Sequence, residues 1–156
     1  MALFSPHQRQ LQGSWLVALQ FGLLLLLALM AAPRTLRLEW SSLSLGLAAL
    51  SVALVVWTLA HNRLGNFRIH PAPQTTGRLI TSGPYRLIRH PMYSAVLLGG
   101  AALAEAAEPG WAWLLWAALV GVLWVKARLE ETWLRERYPE YAAYVQSSRR
   151  FIPWVL

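Results

Sequence analysis

The chain has 156 residues, 56% of them hydrophobic and only 13% charged, with a formal net charge of +7 and no cysteine. An ordinary soluble domain carries about a quarter charged residues, so the composition argues against a water-soluble globule and for an integral membrane protein. The missing cysteines remove disulfide frameworks and thiolate metal sites. The positive charge is no nucleic-acid signature either, because the arginines flank apolar blocks in the manner of cytoplasmic membrane loops.

Residues 1–13 are polar. Ser14 to Ala32 is the first predicted span, about 19 residues long and built around the run Leu23 to Leu27. Ala31-Ala32 resembles a signal-peptide cleavage site, but the apolar run is longer than a usual signal core, so the span is expected to be retained. Pro33 to Trp40 reads as a loop. Ser42 to Ala60 is the second span, with Gly46, Ala48, Ala49 and Ser51 suited to close helix contact. These two spans, residues 1–60, form one expected unit; residues 61–156 form the other, the functional core.

His61 to His90 is polar, carries five arginines and no acid, and is too long for a simple connector. Arg78 to Thr81 reads as a short extended piece and Ser82-Gly83-Pro84-Tyr85 as a turn. Pro91 suits the first turn of a helix and pushes His90 out of helical conformation. A third span is therefore expected from Pro91 to about Ala107, with Arg89 and His90 at its mouth, where unpaired N–H groups and the positive end of the helix dipole favour an anion. Glu105, Glu108, Pro109 and Gly110 make a tight acidic turn, and Trp111 to Val125 is the fourth span. No breaker follows Lys126, so that helix continues to about Arg137, where Tyr138-Pro139 ends it. Glu140 to Ser147 is a short amphipathic helix. The expected fold class is thus all-α, a bundle of about four transmembrane helices with a C-terminal helical segment.

The basic residues lie mostly in the 61–90 loop and after residue 125, which places both on the cytoplasmic side and brings the His90 mouth close to the exit of the fourth helix. Lys126 and Glu130, four apart, share a helix face; Glu131 lies one step round. A surface ion pair is the plain reading of these charges. Against it, ionisable groups at the membrane edge tend to be paired and functional. With Arg89, His90, Tyr85 and Tyr93 they make a polar pocket offering a cation, a carboxylate and aromatic faces, which suits a ligand bearing a carboxylate, a planar ring and a sulfonium. The histidines lack metal-ligand spacing, and no glycine-rich nucleotide loop is present.

Asn66-Phe67, Leu79-Ile80-Thr81-Ser82-Gly83-Pro84-Tyr85, Arg89-His90-Pro91-Met92-Tyr93, Glu130-Glu131-x-x-Leu134, Tyr138-Pro139-Glu140-Tyr141-x-x-Tyr144 and Ile152-Pro153 together resemble the isoprenylcysteine carboxyl methyltransferase family and its bacterial relatives, themselves similar to phospholipid N-methyltransferases. The resemblance covers roughly residues 62–153. It implies a membrane-embedded methyltransferase of a bacterial inner membrane that uses S-adenosyl-L-methionine at the cytoplasmic side, releases S-adenosylhomocysteine, and takes a small or lipophilic acceptor from the bilayer. Carried over by position, Gly77, Arg78, Leu79, Ile80, Tyr85, His90, Pro91, Met92 and Tyr93 would line the cofactor site, with Arg89 and Glu131 beside them. Glu130 would meet the cofactor near the reacting centre; Lys126 stands where eukaryotic members have an arginine on the substrate side. Two other functions stay open on the sequence: an NADPH-dependent reductase of the sterol-reductase type, and a non-enzymatic membrane accessory protein.

Overall fold

The computed structural model describes residues 6–62 and 79–153. Five α-helices account for nearly all of it: α1 (Pro6–Leu36), α2 (Ser42–His61), α3 (Pro91–Ala106), α4 (Ala112–Arg137) and α5 (Tyr141–Ser147), with a 3₁₀ turn, Gly83–Arg86, ahead of α3. Among the described residues the one β-type pairing is an isolated bridge between Ile88 and Arg149.

Three of the helices, α1, α2 and α4, are long and apolar enough to cross a bilayer. Their outward faces carry large apolar side chains such as Trp15, Leu25, Leu29, Leu50, Val56 and Leu114. In water such a surface would be costly; against acyl chains it is not.

The first helix is longer than its apolar run suggests. It begins at Pro6 and continues through Pro33 to Leu36 instead of breaking at the proline. Pro33 lies in the last turn, so only three helical residues follow its missing N–H. The turn is then closed by Arg37 N–H to Pro33 O (3.2 Å) and Glu39 N–H to Arg34 O (2.9 Å), with Leu38 in the left-handed region at φ 57°. The expected Pro33–Trp40 loop therefore shrinks to a few residues before Ser41 caps α2 through Ser44 N–H at 3.1 Å.

Helix α3 is the centre of the bundle. Its 16 residues rise only about 24 Å, less than a hydrocarbon core. It packs on α2 most extensively and also on α1 and α4, whereas α1 and α2 make no comparable contact with each other. Small residues allow this crowding: Ser94, Ala95, Gly100, Ala101, Ala102 and Ala104 are buried. A Cβ on Gly100 would lie 2.9 Å from Leu119 Cδ2 and 3.3 Å from Trp116 Cδ1. Polar ties reinforce the packing, Ser51 Oγ donating to Ala95 O at 2.8 Å and Trp116 Nε1 to Leu97 O at 2.9 Å. The apolar core gathers Leu27 of α1, Ala104 of α3 and Leu119 and Leu123 of α4. Of the small residues expected to mediate contact in α2, Ser51 does so, while Gly46 faces no neighbour.

The bundle has two chemically distinct ends. At one, Arg37 reaches both Glu39 and Glu108 at 3.7 Å, linking the α1–α2 and α3–α4 turns. At the other lie the 3₁₀ turn, the start of α3, the charged half of α4, and α5.

Candidate active site

The approach to α3 is shaped by two backbone punctuators. Gly83 adopts φ +59° with no room for a side chain, since a Cβ would run into the His61 ring at the end of α2. Pro84 then starts the 3₁₀ turn. His90 takes φ −124° and ψ 59°, outside the helical region, and α3 begins at Pro91.

The segment after α5 returns to this approach and fastens to it. Arg89 N–H donates to Arg149 O (2.7 Å), His90 N–H to Arg150 O (3.1 Å), and Arg149 N–H to Leu87 O (3.0 Å). Ser94 Oγ donates to Phe151 O at 2.7 Å, and Tyr144 OH to Tyr85 O at 2.6 Å. Residues 148–151 thus form a strap across the mouth of α3.

Side chains lock the strap through a single carboxylate. Glu131 accepts from Arg89 Nε at 2.9 Å, from Arg150 Nε at 3.0 Å and NH2 at 2.7 Å, and meets His90 Nε2 at 3.2 Å. The second arm of Arg89 donates to Ser148 O at 2.5 Å and Val145 O at 3.4 Å. The Arg150 guanidinium lies over the Trp124 ring at 4.6 Å. Its bond to Glu131 strengthens its hold on the proton, outweighing partial burial. Both oxygens of Glu131 are thereby engaged, on a side chain only 3% exposed.

Glu130, one residue earlier, is placed quite differently. Its side chain is 31% exposed, and it accepts from Tyr93 OH at 2.9 Å, with His90 Nδ1 at 3.6 Å. The His90 and Tyr93 rings stack, 5.2 Å between centroids and 4° between planes. Tyr85 is close by: burial first, and then the Glu130 charge, push its phenol up to about 12. The carboxylate is thus oriented by a tyrosine, flanked by parallel rings, and open on one side.

Lys126 lies one turn before Glu130 and is almost completely enclosed, 1% exposed. Its ammonium donates to Gln20 Oε1 of α1 at 2.7 Å and lies 5.1 Å from the centre of the Tyr93 ring.

The residues singled out in the sequence fall into groups. His90, Tyr93, Lys126, Glu130 and Glu131 come together in contact, with Tyr85 and Arg89 at the border. Pro91 is buried at the helix start and Met92 half-buried beside it; Leu79 and Ile80 are half-buried. Gly77 and Arg78, like Asn66 and Phe67, lie outside the described residues. Arg89 is turned toward Glu131 and the carbonyls of α5 and the strap. Sequence reasoning missed Gln20, Arg150, Ser148, Phe151 and Trp124. The one available signal was Gln20 itself, the single polar side chain between Trp15 and Ala32.

This donor set suits a ligand that carries both a cation and a flat ring. Glu130 supplies an accessible carboxylate, and Tyr93 an aromatic ring backed by the enclosed His90. Among the described residues the buried hydroxyl of Tyr141 has no hydrogen-bond partner, and its phenol is shifted upward by burial and by the Glu131 charge.

Comparison with known proteins bears on this constellation. Residues 41–141 match the family described as phospholipid methyltransferase, a match that takes in α2, α3, α4 and the start of α5. Among curated proteins the chain is similar to the cobalt-zinc-cadmium resistance protein CzcN of Cupriavidus metallidurans, 29% identical over 114 residues, or 71% of this chain and 49% of that protein. The chain spans about half the length of this relative. No solved structure matches.

Proposed function

The chain belongs to the phospholipid methyltransferase family, and from that premise we propose that it transfers a methyl group from S-adenosyl-L-methionine to a lipophilic acceptor at the cytoplasmic edge of the membrane. The observation that carries this reading is the half-open Glu130 carboxylate, oriented by Tyr93 and walled by the His90–Tyr93 stack, at the boundary between an apolar bundle and its charged cap.

Bound there, S-adenosylmethionine supplies a methyl group activated on a sulfonium. Glu130 would hold the cationic part of the ligand, and Tyr85, His90 and Tyr93 would present ring faces to it. Leu79, Ile80, Pro91 and Met92 would supply apolar wall. The strap, held by Arg89, Arg150 and Glu131, would keep water from the mouth of α3. In-line transfer would form the acceptor–methyl bond as the sulfur–methyl bond breaks, its electron pair leaving with S-adenosylhomocysteine, and holding the two partners at near-attack distance would be worth about 7–11 kcal/mol. A carboxylate acceptor needs no base. A thiol, hydroxyl or amine would lose a proton, and Glu130 or His90 would take it.

The test is calorimetric titration of the full chain, purified in detergent, with S-adenosylhomocysteine. Saturable one-site binding that Glu130→Ala removes is the expected result. A wild-type protein that binds nothing at millimolar ligand overturns the proposal. Radiolabelled methyl transfer in nanodiscs, run across carboxylate, thiol, hydroxyl and amine acceptors, then identifies the acceptor class.

A further inference from the structure

The chain has 14 basic side chains apart from histidine, and all but one are arginine. The exception is Lys126, and it is also the most deeply enclosed cation among the described residues. An ammonium without water around it requires acceptors. Lys126 has one carboxamide oxygen, at 2.7 Å, and one ring face, at 5.1 Å. The oxygen belongs to Gln20, itself only 5% exposed and set in the apolar middle of α1. A lysine has no acceptor of its own, so the amide must turn its oxygen inward.

These contacts form a line across three helices. Gln20 of α1 holds Lys126 of α4; Lys126 lies over Tyr93 of α3; Tyr93 OH donates to Glu130 back on α4. Helix α1 lies outside the part of the chain that matches the family. Its only polar group in the apolar run is nevertheless aimed at the Glu130 site.

We propose that Gln20 is a positioning residue: from α1 it fixes the Lys126 ammonium against the Tyr93 ring and so holds the Tyr93 hydroxyl on Glu130. The lysine presents a compact ammonium to one oxygen and one ring face, without the planar fork of a guanidinium. The consequence for ligand binding rests on the function proposed above; the contact itself does not.

Two readouts on the full chain in nanodiscs separate the contact from its consequence. With lysine labelled at Nζ by nitrogen-15, the sole lysine gives a single side-chain resonance. Gln20→Leu is expected to shift it and Gln20→Glu, which keeps an acceptor, to restore a protected signal; a resonance indifferent to Gln20→Leu overturns the proposal. This readout decides whether or not the wild type binds the probe, so failure of the cofactor reading is seen separately. The second readout is S-adenosylhomocysteine affinity by calorimetry. Gln20→Leu should weaken it about tenfold, the scale of a hydrogen bond to a charged group. In a Lys126→Met background the same change should have no further effect, since Gln20 acts through the lysine. Losses that multiply in the double variant would mean that Gln20 only packs the bundle, and would overturn the proposal. Gln20→Glu serves as the folded control if Gln20→Leu assembles poorly.

Discussion

Adjacent glutamates in one helix have opposite environments, and their substitutions should separate accordingly. Glu131 is enclosed by Arg89, Arg150 and His90. Removing its charge leaves two guanidinium groups facing each other in a closed space, so Glu131→Ala should cost about 3–5 kcal/mol and lower the thermal midpoint sharply. Glu130 is partly open and has a single strong donor. Glu130→Gln should leave the midpoint nearly unchanged while reducing methyl transfer about 100-fold or more. Circular dichroism melts and a transfer assay on the two variants check the contrast; equal thermal effects would contradict it. Tyr85 gives a pH prediction. Its phenol keeps its proton up to about 12 in the folded state against an ordinary value near 10. The resulting stability is fully present below pH 10 and is lost as pH rises toward 12, which ultraviolet titration of tyrosinate alongside the melts would reveal.

At the scale of elements, the central position of α3 depends on the absence of side chains. Gly100→Leu inserts volume where Leu119 and Trp116 already close in, and should cost about 1–3 kcal/mol in the detergent-solubilised protein. Gly46→Ala, facing no neighbour, should be neutral or stabilising by up to about 1 kcal/mol. Thermal melts of the two variants distinguish packing from helix propensity. The helices themselves were largely legible, because their ends are written in local chemistry. Pro91 starts α3, the unbroken run past Lys126 carries α4 to Arg137, and Tyr138-Pro139 stops it. Pro33 misled because the helix runs three residues past it before ending. The shared face of Lys126 and Glu130 and the neighbouring His90 mouth could also be read, from helical spacing and a short hairpin turn. The bond between Gln20 and Lys126 could not: it joins residues 106 apart through the packing of α1 on α4. The strap was equally hidden, since no pattern in residues 148–151 announces pairing with residues 87–90.

Across the whole molecule, the two ends offer a direct test of orientation. The chain contains no cysteine, so one can be introduced at a time. A cysteine at Ser147, near the strap, should react with an impermeant maleimide only in inside-out vesicles, and one at Glu108, in the opposite turn, only in right-side-out cells; the reverse pattern would place the site on the outer face. The strap also has a consequence for how the molecule is made. The carbonyl of Leu87 and the N–H groups of Arg89 and His90 are paired with Arg149 and Arg150. The mouth of α3 can therefore be closed only after the chain has been made past Arg150. A protein truncated after Ser147 would keep its helices and leave these three backbone groups to find water instead.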